Sequence, residues 1–320
     1  MKMAQDMTIV GIDVSKDKID AAILSAAACR SFATTAADRK QLSKWLHEHG
    51  VQRAVMEASG GYERSWAKVL RDGGIEVRIV DPKRVRYFAR SAGRLAKSDP
   101  IDARMIARFG EAFAEGAAAE HDAEREELDR LVSFRVTLTA LQTQLANQEE
   151  HEQPAAVAKA NRAVRKAIAT QIAGIEAAIA KKIEQVQRFA ERAEIIKSVP
   201  GLGDGSAAGL VAWLPKLGAV SHRAIAALVG VAPYDDDSGK QRGRRFIKGG
   251  RHKLRRLLYM PIVVAATRCN PVLNACYKRL IAKGKAAKVA LVACMRKLIV
   301  ILNVMIARGE KWDPAKHLPA

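Results

Sequence analysis

The sequence predicts an α/β domain followed by helical domains, and three observations carry that expectation. Short β-branched runs alternate with helix-like segments over the first 120 residues; apolar stripes at three- and four-residue spacing replace them from about residue 121; and positive charge gathers towards the C-terminus. At 320 residues and 34.8 kDa the chain has the length of roughly two domains. Hydrophobic residues make up 49%, enough for real cores, which excludes wholesale disorder. Aromatics are only 5%, which argues against base stacking as the main binding device.

The first block, residues 1–120, opens with the apolar run MTIVGIDVS, turn residues Lys16 to Lys18 and a second strand-like run, IDAAIL. A short strand after Cys29 precedes a helix from Asp38 to Gly50, which that glycine ends. The strand RAVMEAS, a helix from Tyr62 to Arg71, the strand IEVRIV and a further helix follow. Three strands and then alternating helices and strands is the order of an RNase H-like α/β domain.

The second block, residues 121–197, reads as two long helices broken at Pro154. Leu131, Phe134, Leu138, Leu141 and Leu145 form one apolar stripe, and Val164, Ile168, Ile172, Ile175, Ile179, Ile183 and Val186 form another. This pattern suits a helical hairpin or a coiled-coil arm that pairs with another protomer, and equally an ordinary helical core. The third block, residues 198–320, begins at the tight turn SVPGLG and continues as a mostly α-helical domain.

Charge separates the blocks further. The net charge is +20, yet residues 198–320 hold 22 Lys/Arg against 6 Asp/Glu, while residues 1–197 hold 32 against 28. From Lys240 to Arg256, nine of seventeen residues are basic (Lys240, Arg242, Arg244, Arg245, Lys248, Arg251, Lys253, Arg255 and Arg256) and none is acidic. Neutralising phosphates releases counterions, so a block of this density suits a polyanion, and Gly243, Gly249 and Gly250 would let the backbone approach it. A solvated surface or an anionic membrane contact is the plainer alternative. No uninterrupted apolar run approaches the roughly 18 residues of a membrane span. The N-terminus lacks a secretory pattern, and Cys29, Cys269, Cys276 and Cys294 form no CxxC pair. The expectation is a soluble, cytoplasmic protein with no membrane partner.

Four carboxylates stand where chemistry is possible. Asp13 lies at the end of the first strand and Glu57 closes RAVMEAS, with Gly60 and Gly61 leaving space beside it. Neighbouring strands would bring both to one rim of a sheet. Asp99 and Asp102 stand three apart in KSDPIDARMIA, on one face of a helix begun by Pro100. Each alone reads equally as a turn or capping residue. Together they supply the hard oxygen ligands that a pair of divalent metals takes from different elements.

The segments GIDVSKDKIDAAIL, MEASGGYE, KSDPIDARMIA, SVPGLG and GVAPYDDDSGKQRGRR, in this order over nearly the whole chain, resemble the DEDD transposases of the insertion-sequence one-ten family, which includes the Piv/MooV-type DNA invertases. The resemblance implies a RuvC-like N-terminal domain whose tetrad is Asp13, Glu57, Asp99 and Asp102, holding Mg²⁺. It implies that Ser238, in DDDSGK, is a nucleophile forming a covalent phosphoserine link to DNA. It further implies donor and target DNA, a structured guide RNA encoded by the element, and a dimer or tetramer in which one protomer's Ser238 meets another's carboxylates. The residues agree in part: Ser238 precedes Gly239 in a loop, and Lys240, Arg242, Arg244 and Arg245 could hold a scissile phosphate. Asp235, Asp236 and Asp237 would repel DNA unless they bind metal or face away.

Other readings share parts of this pattern. His252 and Arg255 with Tyr259 or Tyr277 suggest a tyrosine recombinase but leave the carboxylates unexplained. An actin-like sugar kinase would use GIDVSK as a phosphate loop but has no need of the C-terminal charge. A non-catalytic DNA- or RNA-binding protein would explain the charge and not the carboxylates. The principal alternative is a RuvC-like nuclease of the junction-resolvase type, hydrolysing DNA without a covalent intermediate.

Overall fold

Five short runs extend as strands; Ile9–Val14, Lys18–Ile23 and Arg53–Glu57, rich in Val, Ile and Ala, are covered on both faces, whereas the edge run Ala28–Ala33 buries only Phe32. The computed structural model describes residues 7–93, 99–113, 122–235, 243 and 245–316, with the backbone alone at 99–101. These fall into two units, Met1–His121 and Asp122–Ala320.

The first unit runs β1 (Ile9–Val14), β2 (Lys18–Ile23), β3 (Ala28–Ala33), α1 (Ala36–Glu48), β4 (Arg53–Glu57), α2 (Glu63–Asp72), β5 (Glu76–Val80), α3 (Pro82–Ser91) and α4 (Asp99–Ala112). The sheet order is β3-β2-β1-β4-β5. The pairs β1–β2 and β2–β3 are antiparallel, whereas β1–β4 and β4–β5 are parallel. This is the RNase H-like, RuvC-like arrangement. Helix α1 starts two residues before the expected Asp38 because the Thr35 side chain caps it, accepting from the Asp38 N–H at 3.1 Å.

One face of the sheet buries Val10, Ile12, Ala54 and Met56 against Leu42 and Leu46 of α1 and Trp66 and Leu70 of α2. The other buries Ile9 and Val55 against Val85 of α3 and Met105, Ile106 and Phe109 of α4. At about 25 cal/mol per Å² of apolar surface, these two layers supply the unit's main stabilisation.

The second unit contains α5 (Ala123–Glu149), α6 (Ala155–Gln185), α7 (Gln187–Lys197), α8 (Asp204–Trp213), α9 (His222–Val229), β6 (Pro233–Tyr234), β7 (Phe246–Ile247), α10 (His252–Val264), α11 (Pro271–Ala282) and α12 (Ala287–Arg308). A π-helical turn at Ala265–Cys269 joins α10 to α11. Leu128 and Val132 of α5 and Ile179 of α6 share one core with Phe189, Leu210, Ile225, Leu258, Leu273 and Leu298. The helical hairpin therefore packs with the helices after residue 197 rather than separately from them. Farther from that core the predicted stripes are only partly covered: Leu138 is buried and Leu145, Ile168 and Ile172 are half-buried, while Phe134, Leu141 and Val164 are exposed.

Helix α12 is long and apolar enough to cross a membrane by length and composition, with mean hydropathy 2.2 over its most apolar stretch. Arg296 and Lys297 interrupt it, so a search for unbroken apolar runs passes it over. Its Cys294, Leu298, Leu302 and Met305 are buried in the core of this unit.

Candidate active site

In the first unit the site follows from strand register. β1 lies beside β4 with Gly11 opposite Val55 and Ile12 opposite Met56, and two residues beyond that first pair come Asp13 and Glu57. Side chains alternate along a strand, so both carboxylates share the face of Gly11 and Val55, at the carboxyl ends of their strands. Both residues are half-buried.

Helix α4 crosses that face directly over Gly11. A Cβ at residue 11 would lie 2.1 Å from the Ala103 carbonyl oxygen and 2.3 Å from the Ala107 nitrogen, so only glycine admits this crossing. Farther along, the α carbon of Gly110 faces the side chains of Ile9 and Val55, so α4 runs antiparallel to β1. Strands advance about 3.3 Å and helices about 1.5 Å per residue. Two residues past Gly11 and four residues back from Ala103 therefore cover similar distances in the same direction. Asp13 and Glu57 end their strands at one rim, and the antiparallel crossing directs the N-terminal end of α4, which begins at Asp99, towards it; the Asp99 side chain lies outside the described residues. Among the described residues no three acidic, His or Cys side chains are drawn together into a formed metal cage. Asp13 and Glu57 at this rim are carboxylates, the ligand type that hard divalent cations select.

Two acidic residues of this unit, Asp20 and Glu63, lie inside the segments that carry the family resemblance but have no role assigned from sequence. Asp20 stands directly opposite Asp13 across the β1–β2 ladder and is 5% exposed. Like charges facing each other across a ladder repel, and Asp20 is instead bound by Lys18 Nζ at 3.0 Å and by the Ser31 hydroxyl. Glu63, at the start of α2, clamps the loop that follows Glu57. Its Oε2 accepts from the Ser59 N–H at 3.0 Å, the Ser59 hydroxyl at 2.9 Å and the Gly61 N–H at 2.8 Å. The Glu63 N–H returns a bond to Ser59 Oγ at 3.1 Å, a reciprocal cap. Burial alone would raise the Glu63 carboxyl, but these donors outweigh it and hold it below the ordinary 4.5. The signal available in sequence was a Ser followed four residues later by Glu at a helix start.

In the second unit, Ser238 and the basic residues Lys240, Arg242 and Arg244 lie outside the described residues. The base of their segment is described: Tyr234 pairs with Phe246 and Pro233 with Ile247, antiparallel. Asp235 bridges Arg245 at 2.5 Å. One of the three unexplained aspartates thus pins the foot of the serine-bearing segment.

Besides Arg245, three more of the nine predicted phosphate-binding cations have the following internal partners. Arg251 donates to the Trp213 carbonyl. Lys253 meets Asp129 at 3.2 Å and lies 4.6 Å over the Trp213 ring. Arg255 donates to the carbonyls of Gly230 at 3.0 Å and Gly249 at 2.5 Å. Gly250, expected to let a ligand close to the backbone, is occupied by the chain itself: a Cβ there would sit 2.3 Å from the Gly230 backbone. Lys248 and Arg256 are exposed. Asp129 also accepts from Trp213 Nε1 at 2.6 Å and Ser133 Oγ at 3.0 Å. Burial would raise the Asp129 carboxyl, but the Lys253 ammonium and these donors hold it below the ordinary 3.8. The tyrosine-recombinase reading loses its parts here, because Arg255 is tied to backbone while Tyr259 and Tyr277 pack against the core.

Comparison with known proteins now adds to this geometry. Residues 10–151 match a family model described as "Transposase", of the DEDD type, and residues 193–278 match one described as "Transposase IS116/IS110/IS902 family". Over 334 aligned positions the chain is 25% identical to the pilin gene-inverting proteins of Moraxella bovis and Moraxella lacunata, covering 97% of this chain and 99% of each relative. The solved structure of Thermus thermophilus RuvC aligns with 34% of this chain and 95% of its own, at 15% identity and a TM-score of 0.27. Models of the same family thus match the sheet-bearing first unit and the helical second unit, and the chain belongs to the insertion-sequence one-ten transposases, enzymes of DNA recombination.

Proposed function

We propose that this enzyme cuts and rejoins DNA through Ser238, with Asp13, Glu57, Asp99 and Asp102 holding Mg²⁺. The observation that supports this reading most is the crossing of α4 over Gly11, since it sends the Asp99–Asp102 end of the helix towards the strand ends that carry Asp13 and Glu57. When bound, the cation polarises a phosphoryl oxygen and offsets the charge that builds up on it.

The Ser238 hydroxyl attacks a DNA phosphodiester. An Oγ–P bond forms, one bridging P–O bond breaks, and the released strand end takes up the proton as a hydroxyl. Attack by another strand's hydroxyl reverses the step and frees Ser238, so bond energy is conserved and no external energy source is needed. Lys240, Arg242, Arg244, Arg245, Lys248 and Arg256 bind phosphates, while Arg251, Lys253 and Arg255 shape the segment that presents them. The full-length likeness to pilin gene-inverting proteins supports inversion of a DNA segment as one outcome. The family resemblance supports a dimer or tetramer and a structured guide RNA pairing with donor and target DNA.

The test is covalent trapping with donor and target DNA, Mg²⁺ and RNA transcribed from the element's flank. Wild type should give a phosphoserine adduct at residue 238 that requires Mg²⁺, and Ser238→Ala should give none while still binding DNA. An adduct at Tyr277, or cutting without any covalent link, would overturn the serine role; the latter result would leave a hydrolytic nuclease of the resolvase type.

A further inference from the structure

The second unit holds eight aromatic residues, and five of them are buried in its core or packed against it: Phe189, Trp213, Tyr259, Tyr277 and Trp312. Two of the remaining three stand opposite each other. Tyr234 and Phe246 are cross-strand partners in the β6–β7 hairpin, and are 43% and 53% exposed. Directly paired residues project from the same face of a ladder. Among the described residues neither ring stacks on another ring or on a cation. The chain thus keeps two large apolar rings in solvent at the foot of the segment that carries Ser238; from Tyr234 to Arg256 nine residues are basic and three, Asp235, Asp236 and Asp237, are acidic.

We propose that Tyr234 and Phe246 form a stacking site for unpaired DNA bases next to the strand being exchanged. The charge around the hairpin selects a polyanion, and the exposed π-faces select the flat part of it. In a duplex those base faces are already covered by neighbouring bases, so rings of this kind gain only when a base has left its stack. Strand exchange requires such bases to exist. The low overall aromatic content is consistent with this assignment, since phosphate contacts supply bulk affinity and two rings act at one place. The inference rests on the reading of the Ser238 segment as the DNA-handling end of the protein.

The experiment uses the full chain with an oligothymidylate of about 16 nucleotides and a duplex of the same length. Tyr234→Leu/Phe246→Leu retains apolar, strand-compatible side chains and removes the π-faces. Single-strand affinity should fall about 10- to 100-fold, with duplex affinity and the salt dependence of binding unchanged. Tyr234→Phe/Phe246→Trp should restore it. If single-strand and duplex affinities fall together, the rings merely shape the basic segment; if neither falls, they bind no base. Either result overturns the proposal. Ser238→Ala separates the two readings: it should keep the wild-type ratio of single-strand to duplex affinity. If it also keeps the covalent adduct, the nucleophile assignment fails and the stacking site stands.

Discussion

The carboxylate rim and the serine-bearing hairpin are held in opposite ways. Asp13 and Glu57 sit at the ends of adjacent, in-register strands under a helix that approaches so closely that no Cβ fits at Gly11. Among the described residues the hairpin shows two residue pairs and the ion pair Asp235–Arg245, whose side chains are 60% and 68% exposed. A cluster meant to hold a small, hard cation gains from rigid spacing, because ligand distances must match within tenths of an ångström. A segment that must reach a DNA strand gains from few tethers. On the proposed reading both designs serve one reaction, and the difference between them can be tested by substitutions of decreasing severity.

The largest effect belongs to the rim itself. Asp13→Asn should reduce Mg²⁺-dependent strand cleavage at least about a thousand-fold, equivalent to about 4 kcal/mol, with thermal unfolding unchanged. Undiminished recombination by this variant would remove Asp13 from the site.

Next comes the frame of the rim. Gly11→Val should destabilise the first unit by about 3 kcal/mol or more, because the new side chain meets α4 backbone rather than a side chain that can turn away. A normal melting temperature would show that α4 can shift, and that the rim is less rigid than the hairpin comparison requires.

The third substitution addresses the floor under the basic segment. Asp129→Asn should cost the second unit about 2 kcal/mol, leaving Lys253 without its counter-charge beside Trp213. The same carboxyl sets a pH dependence. Its folded-state pKa lies below 3.8, so its stabilisation is fully present above that value and disappears as the pH falls through the lower, folded value. Glu63 acts in the same direction on the first unit, from an ordinary value of 4.5. Acid titration followed by circular dichroism should show both units weakening below about pH 4, with the Asp129→Asn variant less sensitive in the second.

The smallest effect is expected at the hairpin foot. Asp235→Asn should change stability by less than about 1 kcal/mol, because an ion pair this exposed is well screened. If adduct formation at Ser238 falls far more than stability does, Asp235 sets where the segment points and does not hold the fold together.

Much of the first unit is legible along the chain because its signals are local. Apolar runs of strand length and the order of elements act within a few residues of each other, whereas the Thr35 cap is not singled out and α1 is expected two residues late. Asp13, Glu57, Asp99 and Asp102 stand out for the same reason, each sitting in a short motif. Glu63 escapes because its role is to close a loop, and Asp20 because an acid in an apolar strand declares nothing until its partners Lys18 and Ser31 are seen.

The density of positive charge from Lys240 to Arg256 belongs to the sequence alone, as does the poverty of aromatics, since composition needs no fold. Which of those cations remain for a ligand was decided by the tertiary structure. Lys253 finds Asp129 at 124 positions' distance, and Arg251 reaches the carbonyl of Trp213 across 38. It likewise decided that Gly250 meets Gly230, and that Tyr234 and Phe246 stand side by side in solvent while the other strand-forming aromatic, Phe32, is buried. Periodicity and motif report what a residue does with its near neighbours; the partner of a charge or the exposure of a ring depends on segments that only folding brings together.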